Sequence, residues 1–244
     1  MSTPLGLDFP TDWARREPAR ALRDLTLTGI VRPLVRFAST MDVHGVELLT
    51  NAGTLIFTAN HVSHLDTVLV LSALPHSLRR RTVVAAASDT FFLKASTAFS
   101  TVLFFNAIPI ERHKVNRRSA ALAQTLLEEK WHLLIYPEGG RTTTGDLQEF
   151  KGGAAYLSER TGAAVVPTFV NGAGDLLGKR YAKADRYTQG PNHLRHHVTV
   201  TFGTPLRQLE GENVRRFGVR IHEKVALLGR QVSGDAAYGR SATA

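Results

Sequence analysis

The 244-residue sequence contains no cysteine. That absence removes disulfides, thiolate metal ligands and a cysteine nucleophile together. Long apolar runs are also missing. A membrane span needs about 20 mainly apolar residues. The best candidate, Ala95 to Ile110, is uncharged but short and carries Ser96, Thr97, Ser100, Thr101 and Asn106. It reads as buried or interfacial, so membrane contact is expected to be peripheral. No basic-then-apolar leader opens the chain, and no secretory signal is expected. The Gly-x-Ser-x-Gly turn that presents a serine nucleophile is absent as well. Aromatic residues are few, at 8%, and do not interleave with the basic clusters, which argues against stacking platforms for nucleic acid.

Hydrophobic residues make up 43% of the chain, enough for a proper core. The length fits one α/β domain or a small pair. The formal charge is +9, which concentrates anions near the surface. Nucleic acid, anionic lipid headgroups, an acidic carrier protein and phosphorylated substrates all meet that condition. Basic residues gather at Arg79-Arg80-Arg81 and in Arg112-His113-Lys114-Val115-Asn116-Arg117-Arg118. Either cluster alone also reads as a solvated face.

The chain divides into three parts. Residues 1–40 hold a Pro- and charge-rich lead, expected to be loosely held to about residue 20, and an amphipathic helical segment. In the latter Leu22, Leu25, Ile30, Leu34 and Phe37 mix with Arg20, Arg23, Arg32 and Arg36, and Gly29 and Pro33 interrupt the helix. Such a segment can lie on an anionic membrane surface or pack on the domain. Residues 41–232 form the main domain, and residues 233–244 a disordered tail. Within the domain, apolar runs at 54–59, 82–87, 107–110, 132–136, 163–167 and 197–202 read as strands. Helical spacing appears at 66–74, 119–130, 152–160 and from Val214 to Leu228. Alternating strands and helices predict an α/β fold with a mainly parallel central sheet covered by helices.

Chemistry gathers at a few places. Asn60-His61-Val62-Ser63-His64-Leu65-Asp66 follows an apolar strand and opens an apolar helix. About 0.4 such His–Asp pairs are expected from composition, so the pair means little without that position. Residues five apart on a regular helix lie about 140° apart. Asp66 therefore meets His61 only if His61 precedes the helix. Asp66 would then fix the tautomer and leave the other imidazole nitrogen to take a proton. The competing readings are a helix cap by Asn60 or Ser63, and a metal pair from His61 and His64. Arg112 ends a short strand and can present its fork to a phosphate. In Tyr136-Pro137-Glu138-Gly139-Gly140-Arg141-Thr142, two glycines permit close backbone approach. Arg141 and the hydroxyls of Thr142 to Thr144 could complete an anion site, with Glu138 orienting a ligand hydroxyl or pairing with an Arg. Phe150-Lys151-Gly152-Gly153 runs into a helix N-terminus, a second place for a phosphate.

In this order the segments resemble the 1-acylglycerol-3-phosphate acyltransferase family, from about Met41 to Pro205. The family's His-x4-Asp motif matches His61 and Asp66. Its Gly-x-x-Phe-x-x-Arg motif retains Arg112 but has Asn106 and Pro109 in the Gly and Phe places. Its Pro-Glu-Gly-Thr-Arg-Ser motif corresponds to Pro137 to Thr142, and its Val-Pro-Val motif to Val166-Pro167-Thr168. The resemblance implies that His61, oriented by Asp66, removes the proton of an acceptor hydroxyl. The acceptor then attacks an acyl thioester, either acyl-coenzyme A or acyl-carrier protein. Arg112, Glu138, Gly139, Gly140, Arg141, Thr142 and Lys151 are expected to bind substrate. The default acceptor is the lysophospholipid 1-acylglycerol-3-phosphate, giving phosphatidic acid. A different alcohol or thioester hydrolysis are the alternatives. No metal, resident cofactor or nucleic-acid partner is expected. Location is expected to be peripheral, on the cytoplasmic side of the cell membrane. The replacements at Asn106 and Pro109 raise the expectation of a reshaped phosphate pocket.

Overall fold

Leu55, Ile56, Phe57, Thr58 and Ala59 are all buried, as a strand covered on both faces requires. A computed structural model of the chain describes residues 5–112, 117–142, 144–174 and 196–233. The tail expected after Ser233, most of the 112–118 cluster and Thr143 lie outside the described residues or have undescribed side chains. Among the described residues the strands are β1 (Ser39–His44), β2 (Leu55–Ala59), β3 (Thr82–Ala87), β4 (Ala107–Ile110), β5 (His132–Ile135), β6 (Ala164–Asn171) and β7 (His196–Phe202). The helices are α1 (Glu17–Thr26), α2 (Arg32–Ala38), α3 (Leu65–Ala73), α4 (His76–Arg80), α5 (Ser88–Phe91), α6 (Ala95–Phe105), α7 (Arg117–Glu128), α8 (Gly153–Thr161) and α9 (Val214–Ser233).

The strands form one sheet in the order β1-β7-β6-β2-β5-β3-β4. Every pairing is parallel except β6 with β7. Side chains alternate across the sheet. Leu55, Phe57 and Ala59 enter a core layer with Leu69 and Val70 of α3 and with Leu74 just after it. Ile56 enters the opposite layer with Leu126 of α7, Leu157 of α8, and Phe217 and Ile221 of α9. The expected mainly parallel, helix-covered sheet is the observed one. β2 lies near its middle, so the crest above the carboxyl ends of β2, β5, β3 and β4 is where ligands bind in such sheets.

Two expectations change. The lead is not loosely held where it is described: Phe9 and Ala14 are buried with Phe92, Ala98 and Val102 in a third cluster. The interrupted segment stays helical through residue 38 by inserting a π-turn at Leu27–Val31. In a straight α-helix the ring of Pro33 would clash with the carbonyl four residues back, and the wider turn precedes it. β1 has no apolar run to mark it: its inward residues are Ser39, which is buried but polar, and the half-buried Met41 and Val43.

Candidate active site

β2 ends at Ala59, and the next side chain extends its pairing. Asn60 donates to the Val170 carbonyl at 2.9 Å and accepts from the Val170 N–H at 2.7 Å. It therefore locks the end of β2 to β6 and does not cap α3. His61 follows, before the helix, as contact with Asp66 requires.

Asp66 sits in the first turn of α3 and is fully buried. Its Oδ2 accepts from the Val62 N–H at 2.8 Å and the Ser63 N–H at 2.9 Å, and lies 2.9 Å from His61 Nδ1. One carboxylate oxygen thus shapes the turn and holds the imidazole, in a position where acidic side chains favour a helix N-terminus. Ser63 Oγ accepts from the Leu65 N–H at 3.2 Å. Burial pushes the Asp66 carboxyl up, while the hydrogen bond and charge of His61 and the two backbone N–H groups pull it down. With Nδ1 taken by Asp66, Nε2 is the nitrogen left for chemistry in the cleft.

The ring of His61 stacks on Tyr136, with centroids 4.1 Å apart and planes 21° apart. The Tyr136 hydroxyl lies 2.9 Å from Thr67 Oγ1. Sequence reading used Tyr136 only as a strand end. Its place at the carboxyl end of β5, beside β2, was the available signal. His64 sets its ring edge-on to Phe91, at 5.8 Å. Among the described residues no three His, Asp or Glu side chains group as a metal site.

The cleft above these residues has a volume of about 350 Å³. Its polar rim is His61, Arg112, Gly139, Gly140 and Arg141. Its apolar wall comes from Val84 to Ala87 of β3, Ala107 and Ile110 of β4, Phe91 of α5 and Phe105 of α6. Arg112 donates to Asp89 Oδ2 at 3.1 Å, to Thr90 Oγ1 at 3.1 Å and to the Gly139 carbonyl at 3.5 Å. Arg141 is exposed at the same rim.

The expected substrate-binding residues divide. Arg112, Gly139, Gly140 and Arg141 line the cleft. Glu138, Thr142 and Lys151 lie outside the cleft lining, and each makes contacts with the frame. Glu138 Oε1 accepts from the His61 N–H at 2.7 Å and Oε2 from the Gln148 N–H at 2.9 Å. Thr142 is buried; its N–H donates to the His61 carbonyl at 2.8 Å and its Oγ1 accepts from the Thr144 N–H at 3.3 Å. Lys151 donates to the Arg112 carbonyl. Gly139 has φ +74°, and a Cβ there would run into the Lys151 ammonium. Burial pushes the Glu138 carboxyl up to about 7, with the Asp66 charge adding to it and the two N–H groups opposing.

Asn106 and Pro109 do not line the cleft either. Asn106 is fully buried at the end of α6 with φ +51°, a left-handed backbone that asparagine tolerates better than other non-glycine residues. Its side chain donates to the Thr82 carbonyl at 3.0 Å. Pro109 lies on edge strand β4 beside Leu7 and Leu122 in a separate cavity. The anticipated reshaping of the phosphate pocket therefore has no direct contact behind it. Val166 and Val170 of β6 are core residues.

Comparison with known proteins agrees with the fold. The family model described as Acyltransferase matches residues 40–171, from β1 through β6. The bovine 1-acyl-sn-glycerol-3-phosphate acyltransferase alpha is 26% identical over 202 residues, covering 82% of this chain and 66% of that protein. The probable 1-acyl-sn-glycerol-3-phosphate acyltransferase of Mycoplasma pneumoniae is 25% identical over 170 residues, covering 66% of this chain and 61% of its own. The chain thus spans about two thirds of the length of these relatives. Among solved structures, the 1-acyl-sn-glycerophosphate (LPA) acyltransferase PlsC from Thermotoga maritima shares the fold, with a TM-score of 0.58 at 17% identity over 93% of this chain and 84% of that one. With more than half of its residues matched by the family model, the chain belongs to the Acyltransferase family.

Proposed function

We propose that this protein transfers a fatty acyl group from an acyl thioester to the hydroxyl of a lysophospholipid, with 1-acylglycerol-3-phosphate as the default acceptor. The observation that carries the reading is His61 Nδ1 held at 2.9 Å by a fully buried Asp66, on the rim of a cleft with an apolar wall and two arginines. A base, an apolar surface for an acyl chain and cations for a phosphate are what the reaction needs. The names of the relatives support the acceptor class.

In this reading His61 Nε2 takes the proton of the acceptor hydroxyl as its oxygen bonds to the thioester carbonyl carbon. The tetrahedral intermediate collapses, the C–S bond breaks, and the imidazolium returns its proton to the departing thiolate. Asp66 keeps the ring in one tautomer and stabilises its charged form. No covalent acyl-enzyme is required, which suits a cleft without a cysteine or a serine elbow. Arg112 and Arg141 hold the acceptor phosphate.

The same reading places the protein on an anionic membrane surface. Leu22, Leu25, Ile30, Leu34 and Phe37 are exposed, Leu25 and Phe37 by 70% and 77%. Steps of three and four keep residues on one helical face, but the step from Leu25 to Ile30 is five. The π-turn at Leu27–Val31 absorbs the additional residue, so Ile30 stays in line with Leu25 and Leu34. An apolar stripe of this kind marks an interaction surface, and nearby Arg32 and Arg36 suit acidic headgroups. Among the described residues no helix is long and apolar enough to cross a membrane.

The test is a panel of lysophospholipid and simple alcohol acceptors with purified protein and one acyl thioester, following thiol release and product mass. Thiol release that depends on 1-acylglycerol-3-phosphate and yields phosphatidic acid is the expected result. Release at full rate without any acceptor would make the protein a thioester hydrolase. Co-sedimentation with anionic but not neutral vesicles tests the surface.

A further inference from the structure

We propose that Glu138 is a positioning residue for the acyl-transfer step, gripping the main chain of His61 without touching the acceptor. The proposal deepens the acyltransferase reading and rests on it for its kinetic consequence. Its geometric part stands independently.

Three contacts carry it. The peptide N–H of His61 donates to Glu138 Oε1 at 2.7 Å. The carbonyl of His61 accepts from the Thr142 N–H at 2.8 Å. The second oxygen of Glu138 accepts from the Gln148 N–H at 2.9 Å. The loop after β5 therefore holds both peptide groups of the base residue, and Glu138 also closes that loop on itself. The carboxylate is buried and does not line the cleft, whereas its neighbours Gly139, Gly140 and Arg141 do. Asp66 fixes the ring of His61, Tyr136 stacks on its face, and Glu138 fixes the backbone from which the ring extends.

The chemistry of the pair of donors dictates the residue type. Both partners of Glu138 are N–H groups, one on each oxygen. An ionised carboxylate satisfies both. A glutamine satisfies one and turns its NH2 toward the other, leaving a buried donor facing a donor. An aspartate keeps the charge but is one methylene too short to span both amides. Size, charge and reach thus predict different outcomes for the two conservative variants.

The experiment compares wild type, Glu138→Gln and Glu138→Asp as full chains. Amide hydrogen exchange is read at His61 and Gln148, with Val166 and Val200 in the sheet as internal controls. Both variants should speed exchange at His61 or Gln148 roughly tenfold or more, the scale of one lost hydrogen bond to a charged group, with the sheet unchanged. Wild-type protection at both amides in both variants overturns the brace. Kinetics then use an acyl thioester with 1-acylglycerol-3-phosphate. Both variants should lose kcat roughly tenfold or more while the acceptor KM stays close to wild type. A raised acceptor KM with intact kcat, or full rescue by Glu138→Asp, means that Glu138 acts on the acceptor as a charge, and the proposal fails. If wild type does not turn over this acceptor, the acyltransferase reading fails, and the exchange measurement still decides whether Glu138 braces His61.

Discussion

The two ends of the cleft are built differently. The His61 end follows β2, near the middle of the sheet, and its partners are a fully buried carboxylate, a buried glutamate and a stacked tyrosine ring. The Arg112 end follows β4, an edge strand, and its side-chain partners are Asp89 and Thr90 near solvent. Hydrogen bonds to a buried charge are strong and hold their geometry. An exposed ion pair contributes about 0.2–1 kcal/mol and is screened by salt. The contrast teaches a division of labour: His61, the base of the proposed reaction, is fixed by the centre of the fold, while Arg112, its proposed phosphate-binding cation, is left adjustable at the edge.

The largest expected effect breaks the central end. His61→Ala should lower kcat roughly 10²–10⁴-fold, the usual worth of a general base, with an unchanged melting temperature within a few degrees. Near-wild-type turnover in that variant would falsify the mechanism. The next effect concerns pH. The folded-state pKa of Glu138 is raised to about 7 from 4.5, chiefly by burial. The folded protein therefore binds this proton more tightly than the unfolded chain. The associated stability is complete below pH 4.5 and is lost as pH rises through 7, by roughly 3 kcal/mol in total. Urea unfolding of wild type and Glu138→Gln at pH 5 and pH 7.5 isolates it. The stability difference between the two proteins should shift against wild type at the higher pH. A difference independent of pH would mean that Glu138 is ionised throughout.

The edge end should respond more weakly and in a different parameter. Arg112→Ala removes a charge-assisted contact worth about 1.5–3 kcal/mol, so the KM for a phosphate-bearing acceptor should rise roughly 10–100-fold. An acceptor without phosphate should be nearly indifferent. A drop confined to kcat would remove Arg112 from acceptor binding.

What the sequence disclosed follows the same division. Strands covered on both faces, such as Leu55–Ala59 and Thr82–Ala87, write themselves as apolar runs whose bounds agree to within a residue, whereas the run that ends at Pro167 continues in the fold to Asn171. β1 shows only two apolar residues on its inward face, beside the buried but polar Ser39, too few to mark a strand. The requirement that His61 precede the helix came from helical geometry alone, and the coordinates meet it. The inward turn of Glu138 and Thr142 is not legible in the sequence. A polar residue in a glycine-rich loop can face a ligand or a backbone amide with the same local spelling, and only the fold brings the His61 and Gln148 amides to it. The departures at Asn106 and Pro109 looked like changes in specificity for the same reason. A left-handed backbone and an edge strand explain both without reference to the cleft.

The smallest predicted effect is the one that sharpens the comparison. Asp89 holds Arg112 Nε at 3.1 Å, with the two side chains 28% and 41% exposed. Thr90 at 3.1 Å and the Gly139 carbonyl at 3.5 Å hold the other guanidinium nitrogens. Removing the carboxylate leaves Arg112 with those two contacts and water. Asp89→Ala should therefore raise the acceptor KM by no more than about fivefold, the ceiling for an exposed pair, and the rise should shrink in added salt. A gain in acceptor affinity is also consistent with an adjustable edge, because the carboxylate competes with the phosphate for the same cation. If Asp89→Ala instead matches the loss from Arg112→Ala, the arginine depends on that pair for its position, and the edge of the cleft is as rigidly built as its centre.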